Sequence, residues 1–157
     1  MDEIDLKILA LLQADAGLSN AELADRVGLS ATPCWRRIRH LEETGVIRAR
    51  VALLDRSALN VGVTVFVQIR TNQHTPEWLE RFARAVEGIP EIVDFYRMAG
   101  DVDYLLRVVV PDIAAYDGVY KRLIGKINLF DVSSSFAMEE IKSTTALPLA
   151  YARRSVA

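Results

Sequence analysis

The amino-acid sequence predicts an α+β protein in two parts, and three observations carry that prediction. Helix start and stop signals fill the first stretch of the chain, up to Gly45. A period-two alternation of Val and Ile begins at Val61. Beyond it, two helical periods separate four strand-like runs in the order β-α-β-β-α-β. With 157 residues, 51% of them hydrophobic, the chain is long enough for one ordinary domain or two small ones and too apolar to be disordered.

Ile4, Ile8, Leu11 and Leu12 recur at helical spacing, and Gly17 ends that segment. Ser19 and Glu22 form an S-x-x-E capping box, in which the hydroxyl accepts from the third backbone N–H and the carboxylate accepts from the cap's own N–H. The helix that starts there presents Leu23, Ala24 and Val27 on one side. It stops at Gly28, which takes the left-handed C-terminal cap. Only Leu29 separates Gly28 from the next cap, Ser30, so two short helices joined by so tight a turn must cross steeply.

The stretch SATPCWRRIRHL follows. Pro33 falls in the first turn, where the N–H it lacks would have had no intrahelical partner. At about 100° per residue, Cys34, Ile38 and Leu41 share one stripe, the expected buried face. Trp35, Arg36, Arg39 and His40 fan around the opposite side, and Arg37 flanks the stripe. After Gly45, VIRARVALLD reads as a strand with Arg48 and Arg50 on one side, like a wing. Arg56 to Asn60 read as a connector.

In the second part, Val61, Val63, Val65, Val67 and Ile69 point to one face of a strand. Thr75 caps and Pro76 opens a helix with Leu79, Phe82, Ala83 and Val86 inward, closed by Gly88 and Pro90. EIVDFYRM and YLLRVVV are strands joined across AGDVD. Asp112 caps a second helix with Tyr116, Val119, Tyr120 and Leu123 inward, and FDVSSSFAM is the fourth strand. The order is that of the ferredoxin-like βαββαβ unit, an antiparallel sheet with both helices on one face. Because Phe66 sits on the opposite face, that face is expected to be covered by a second copy of the chain. The expected division is 1–50 for the helical part, 51–60 for a hinge strand and linker, and 61–157 for the αβ part.

Charge is uneven along the chain. Residues 1–25 hold one lysine against six carboxylates, whereas residues 26–50 hold six arginines against two glutamates. Such a block suits a polyanion on one surface, and it equally describes a solvated helix face. The apolar runs are too short to span a membrane, and the acidic start MDEID lacks a signal-peptide pattern, so the chain is expected to be cytoplasmic and unprocessed. One cysteine and two histidines give no metal cluster. No phosphate-binding glycine loop, zinc-binding or nucleophile-elbow motif is present, so neither a cofactor nor an enzyme is expected.

A tryptophan and arginines facing water on the second helix of a tight pair suit a helix in the DNA major groove. There arginine donates to guanine or phosphate, and a ring touches a thymine methyl. Partial burial against a neighbouring helix would equally explain Trp35, and Cys34 reads as a small core residue. Asp101 and Asp103 in AGDVDY could hold the ammonium group of an amino acid or could simply build the turn. Ser133, Ser134 and Ser135 offer hydroxyls or fill the strand.

LSNAELADRVGLSATPCWRRIRHLEETGVI resembles the winged helix-turn-helix of the Lrp/AsnC feast/famine regulators, and AGDVDYLLRVVVPD resembles their ligand-sensing αβ domain. The resemblance covers essentially the whole chain. TPCWRRIRHLEE, VALLD, FYRMAGDVDYLLRV, YKRL and DVSSSFAMEEIKSTTALP look most like the branch of cysteine-responsive activators. KINLFD departs from the family's usual L-P-G-V, with Asn128 in place of the glycine.

The resemblance implies a transcriptional regulator that binds double-stranded DNA. Ser30, Thr32, Pro33, Trp35, Arg36, Arg37 and Arg39 would lie on or open the recognition helix; the residue pattern itself adds His40 on the same face and Arg48 and Arg50 of the wing-like strand on phosphate. The resemblance implies an amino-acid effector, cysteine or leucine-like, at Met98, Gly100, Asp101, Val102 and Asp103 with Ser134 and Ser135. It also implies dimers that close into larger rings, often octamers. The alternative is an amino-acid sensor without DNA activity.

Overall fold

The structure, a computed structural model, describes residues 1–152. The chain divides into two compact units. One comprises Met1–Leu53 with the returning tail from Lys142, and the other comprises Leu54–Ile141. The expected linker, 51–60, thus straddles the division, and residues 142–152 return to the N-terminal unit.

The first unit holds three helices, α1 (Glu3–Ala14), α2 (Asn20–Val27) and α3 (Ala31–Glu43). Each begins where the sequence carries a cap. Asp2 caps α1 in a reciprocal box with Asp5, and Ser19 and Glu22 do the same for α2. Gly28 ends α2 at φ 72°, in the left-handed region that a side chain would strain, and its N–H bonds back to Ala24 and Asp25. Ser30 occupies the N-cap position of α3 in extended conformation, with no capping bond from its side chain. Apolar stripes from the three helices meet in one core of Ile8, Leu9, Leu18, Leu23, Ala24, Cys34, Ile38 and Leu41, against which Leu149 of the returning tail also packs.

The strand expected over VIRARVALLD is not formed. Residues 48–55 carry no strand or helix, and Val51 and Leu53 are each 72% exposed. The alternation is real, but a strand needs a neighbour to take its N–H and C=O groups, and no described segment pairs with this one. RSALN, read from sequence as a connector, forms a turn, with N–H groups of Leu59, Asn60 and Val61 closing back on Asp55, Ser57 and Arg56.

The second unit contains β1 (Val63–Arg70), α4 (Pro76–Glu87), β2 (Ile92–Arg97), β3 (Tyr104–Val110), α5 (Ile113–Lys126) and β4 (Asp131–Phe136). All strand pairs are antiparallel, in the order β2-β3-β1-β4. Ile69 faces Tyr104 on one side and Val132 on the other; Val67 lies between Leu106 and Ser134. Val65, Val67 and Ile69 point into the core with Leu106 and Val108, under Trp78, Phe82, Tyr116, Val119 and Leu123 of the two helices. The buried face of α4 is rotated from expectation: Trp78 and Ala85 are buried, whereas Leu79 and Ala83 are only partly covered. The indole sets this rotation, because it contributes the largest apolar area and packs against both Phe82 and Tyr104. On the opposite face of the sheet Phe66 remains 37% exposed, beside the ion pair of Arg107 and Asp94.

Candidate functional site

Two sets of residues were singled out by sequence, and each falls within one unit. On α3, the core stripe of Cys34, Ile38 and Leu41 turns the intervening positions outward. Trp35 is 53% exposed, and Arg36, Arg39 and His40 are exposed as well. The Arg39 guanidinium lies 5.9 Å from the Trp35 ring centroid, within cation–π range, and it also reaches Glu43 at 3.3 Å. Thr32 and Pro33 are exposed in the first turn. Burial pushes the Cys34 thiol up, against a weaker opposing pull from Arg37, which marks it as a core group rather than a nucleophile.

Arg37 differs from its neighbours. Its Nη1 donates to Asp2 at 2.7 Å and to Asp5 at 2.8 Å, both on the first turn of α1. These bonds, Asp5 first, raise the guanidinium pKa further. Arg48 is exposed beyond the helices, and Arg50 pairs with Glu42 at 3.1 Å. The Nδ2 of Asn20 donates to the Ala31 carbonyl at 2.8 Å and so ties the start of α2 to the first turn of α3. Asp2, Asp5 and Asn20 were not singled out as part of this surface. The spacing of Asp2 and Asp5 is a legible helix cap, but their reach to Arg37 is tertiary.

In the second unit the loop between β2 and β3 gathers Met98, Gly100, Asp101, Val102 and Asp103. The Met98 N–H donates to the Asp103 carbonyl at 2.8 Å, and Gly100 takes φ 120°, closing the turn. Asp101 is exposed. Asp103 is half-buried: its N–H donates to the Ile69 carbonyl at 3.0 Å, and its Oδ2 accepts from the Thr71 N–H at 2.8 Å. Its other oxygen lies 3.9 Å from His74 Nδ1. Thr71 and His74, unremarked in the sequence, therefore border this loop.

The serines part company along β4. Ser134 faces the helices, with its hydroxyl bonded to that of Tyr116, whereas Ser135 stands opposite Phe66 on the outer face. Burial raises the Tyr116 pKa, although the Ser134 bond opposes the shift.

Comparison with known proteins follows the same division. A winged helix-turn-helix DNA-binding pattern matches residues 1–48, and the Lrp/AsnC ligand binding domain matches residues 64–147. The chain belongs to the Lrp/AsnC family. It is 51% identical over 150 residues to the DNA-binding transcriptional activator DecR of Escherichia coli, covering 95% of this chain and 99% of that one. Among solved structures, an AsnC family transcriptional regulator from Agrobacterium tumefaciens is 65% identical, with a TM-score of 0.95 over 98% of this chain and 100% of its own. The transcriptional regulator NMB0573 of Neisseria meningitidis, solved with L-Met, is 37% identical, with a TM-score of 0.90 over 96% of this chain and 98% of its own. These Lrp/AsnC relatives are transcriptional regulators. Among the described residues, no helix is long and apolar enough to cross a membrane.

Proposed function

We propose that this Lrp/AsnC protein is a sequence-specific DNA-binding regulator whose recognition helix is α3 and whose effector is an amino acid. One observation carries the reading: Trp35, Arg36, Arg39 and His40 stand in solvent on a helix whose opposite stripe is fully committed to the core. Arg36 and Arg39 read base edges in the major groove, with Trp35 against a base or a thymine methyl. Ser30, Thr32 and Pro33 bring the first turn of α3 to the groove, while Arg48 and Arg50 grip phosphate.

The effector loop is Met98–Asp103. Asp101, exposed beside the half-buried Asp103, is the natural partner for an ammonium group, and Ser135 offers a hydroxyl on the outer face of the same sheet. The L-Met bound to the Neisseria relative supports an amino acid as the ligand class. The chain acts in the cytoplasm as a homodimer that assembles further, to an octamer. Phe66 on the outer face of the sheet and the exposed Val51 and Leu53 supply apolar surface for such contacts.

The test combines gel shifts on genomic fragments across a salt series with calorimetry against the twenty amino acids. A fragment bound well above random DNA, and at least one amino acid that alters that binding, are expected. Amino-acid binding without any DNA binding would instead support a sensor that acts alone.

A further inference from the structure

We infer that Asp2 and Asp5 are positioning residues for DNA recognition, acting through Arg37, and that Arg37 holds α3 rather than reading DNA. The inference rests on α3 being the recognition helix. The two carboxylates divide their oxygens with no overlap. Asp2 Oδ1 accepts from the N–H groups of Ile4 and Asp5, both at 3.0 Å, while its Oδ2 accepts from Arg37 at 2.7 Å. Asp5 Oδ2 accepts from the Asp2 N–H at 2.9 Å, while its Oδ1 accepts from Arg37 at 2.8 Å. Each acid is therefore fixed to the first turn of α1 by one oxygen and grips α3 with the other. Asp5 is the more enclosed of the two, with its side chain 14% exposed.

Such a clamp has a physical use. The stripe of Cys34, Ile38 and Leu41 holds α3 by apolar burial, which is non-directional, and the bond from Asn20 to the Ala31 carbonyl ties only its first turn. Charge-assisted hydrogen bonds are directional and fix that roll. With side-chain tips about 6 Å from the axis, a roll of about 10° moves them by about 1 Å. That is enough to spoil a bidentate contact to a base, whose tolerance is a few tenths of an ångström. Arg37 lies on the flank between the core stripe and the exposed face, the position from which a bond to α1 controls the roll. Both acids also cap α1, a task that an uncharged serine or asparagine performs without repelling phosphate beside a DNA-binding helix.

The sign of that charge gives a sharp test. Asp5→Asn, Asp2→Asn, Arg37→Gln and Arg37→Lys would be made in the full chain and checked for folding by circular dichroism. Each would be titrated on a genomic fragment selected by the wild type and on random DNA, across a salt series. Asp5→Asn is expected to lose at least fivefold on the selected fragment and to bind random DNA as well as or better than wild type. Arg37→Gln is expected to show the same loss with an unchanged salt slope, and the double variant no further loss. Arg37→Lys keeps the charge but ends one bond short of the Nη1 position from which both bonds leave, so it should lose discrimination while remaining folded.

Tighter binding of Asp5→Asn to both DNAs would overturn the inference. So would equal weakening of Arg37→Gln on both DNAs with a salt slope smaller by about one, the mark of a phosphate contact. Failure of the wild type itself to discriminate any fragment would overturn the DNA-binding reading, and the positioning role with it.

Discussion

Gln13 grips the backbone of Leu147 with both ends of its side-chain amide: Nε2 donates to the Leu147 carbonyl at 3.2 Å, and Oε1 accepts from the Leu147 N–H at 2.6 Å. The amide imitates a rung of a β-ladder and fastens the returning tail to α1 across most of the sequence. The tail gains a second hold two residues on, where Leu149 packs against the helical core.

Gln13→Ala should therefore loosen the tail. Loss of about 1 kcal/mol in denaturant unfolding is expected for these solvent-exposed bonds. Faster amide exchange at Leu147 and earlier proteolytic cleavage within 142–152 should accompany it, while the core helices keep their protection.

Arg39→Ala should cost about 1–3 kcal/mol of binding on the specific site and little on random DNA. Fluorescence anisotropy on both DNAs separates these quantities. Equal losses on the two would make Arg39 a phosphate contact.

Trp35 is exposed, so Trp35→Ala should shift unfolding stability by no more than about 0.5 kcal/mol. It also removes the ring beneath the Arg39 guanidinium. Operator affinity should fall several-fold with the melting temperature nearly unchanged, a split that a packing role for the indole would not produce.

Acid should weaken the helical unit in a defined window. The Asp2 carboxyl is held below its usual value by the Asp5 N–H and then by Arg37, and Glu22 likewise by Ser19. A depressed carboxyl contributes stability above its unfolded pKa, about 4, and that contribution disappears as the pH falls through the folded value. Thermal unfolding of the wild type should therefore drop below about pH 4. In Asp2→Asn the drop should be smaller.

Phe82 is fully buried, with ring contacts to Trp78, Phe95 and Tyr104. Phe82→Ala should destabilise the αβ unit by about 3–5 kcal/mol, visible as a lowered unfolding midpoint.

The elements that announce themselves by local rules were legible in the sequence. The capping box of Ser19 and Glu22, Gly28, Pro76 and the alternation from Val61, whose strand forms over Val63–Arg70, act within a few residues, so those readings match the structure. What escaped depends on distant partners. Val51 and Leu53 alternate like a strand, yet no described segment pairs with them. Arg37 has the same residue type and helix as Arg36 and Arg39, and only the arrival of Asp2 and Asp5 from α1 sets it apart. Ser134 and Ser135 are adjacent in sequence, but the pleat sends one toward Tyr116 and the other outward. The rotated face of α4 followed from the bulk of Trp78, which a count of periodic positions does not weigh.

The most direct test of recognition by α3 is a photo-crosslinking residue at position 35, in place of the exposed Trp35, with the full chain bound to a selected operator fragment. Crosslinks should fall on bases in the major groove, in two patches about 34 Å apart as a dimer requires, and a control at the exposed Lys121 of α5 should give none. Stable DNA binding with no crosslink from position 35, or equal crosslinking from Lys121, would contradict recognition by α3.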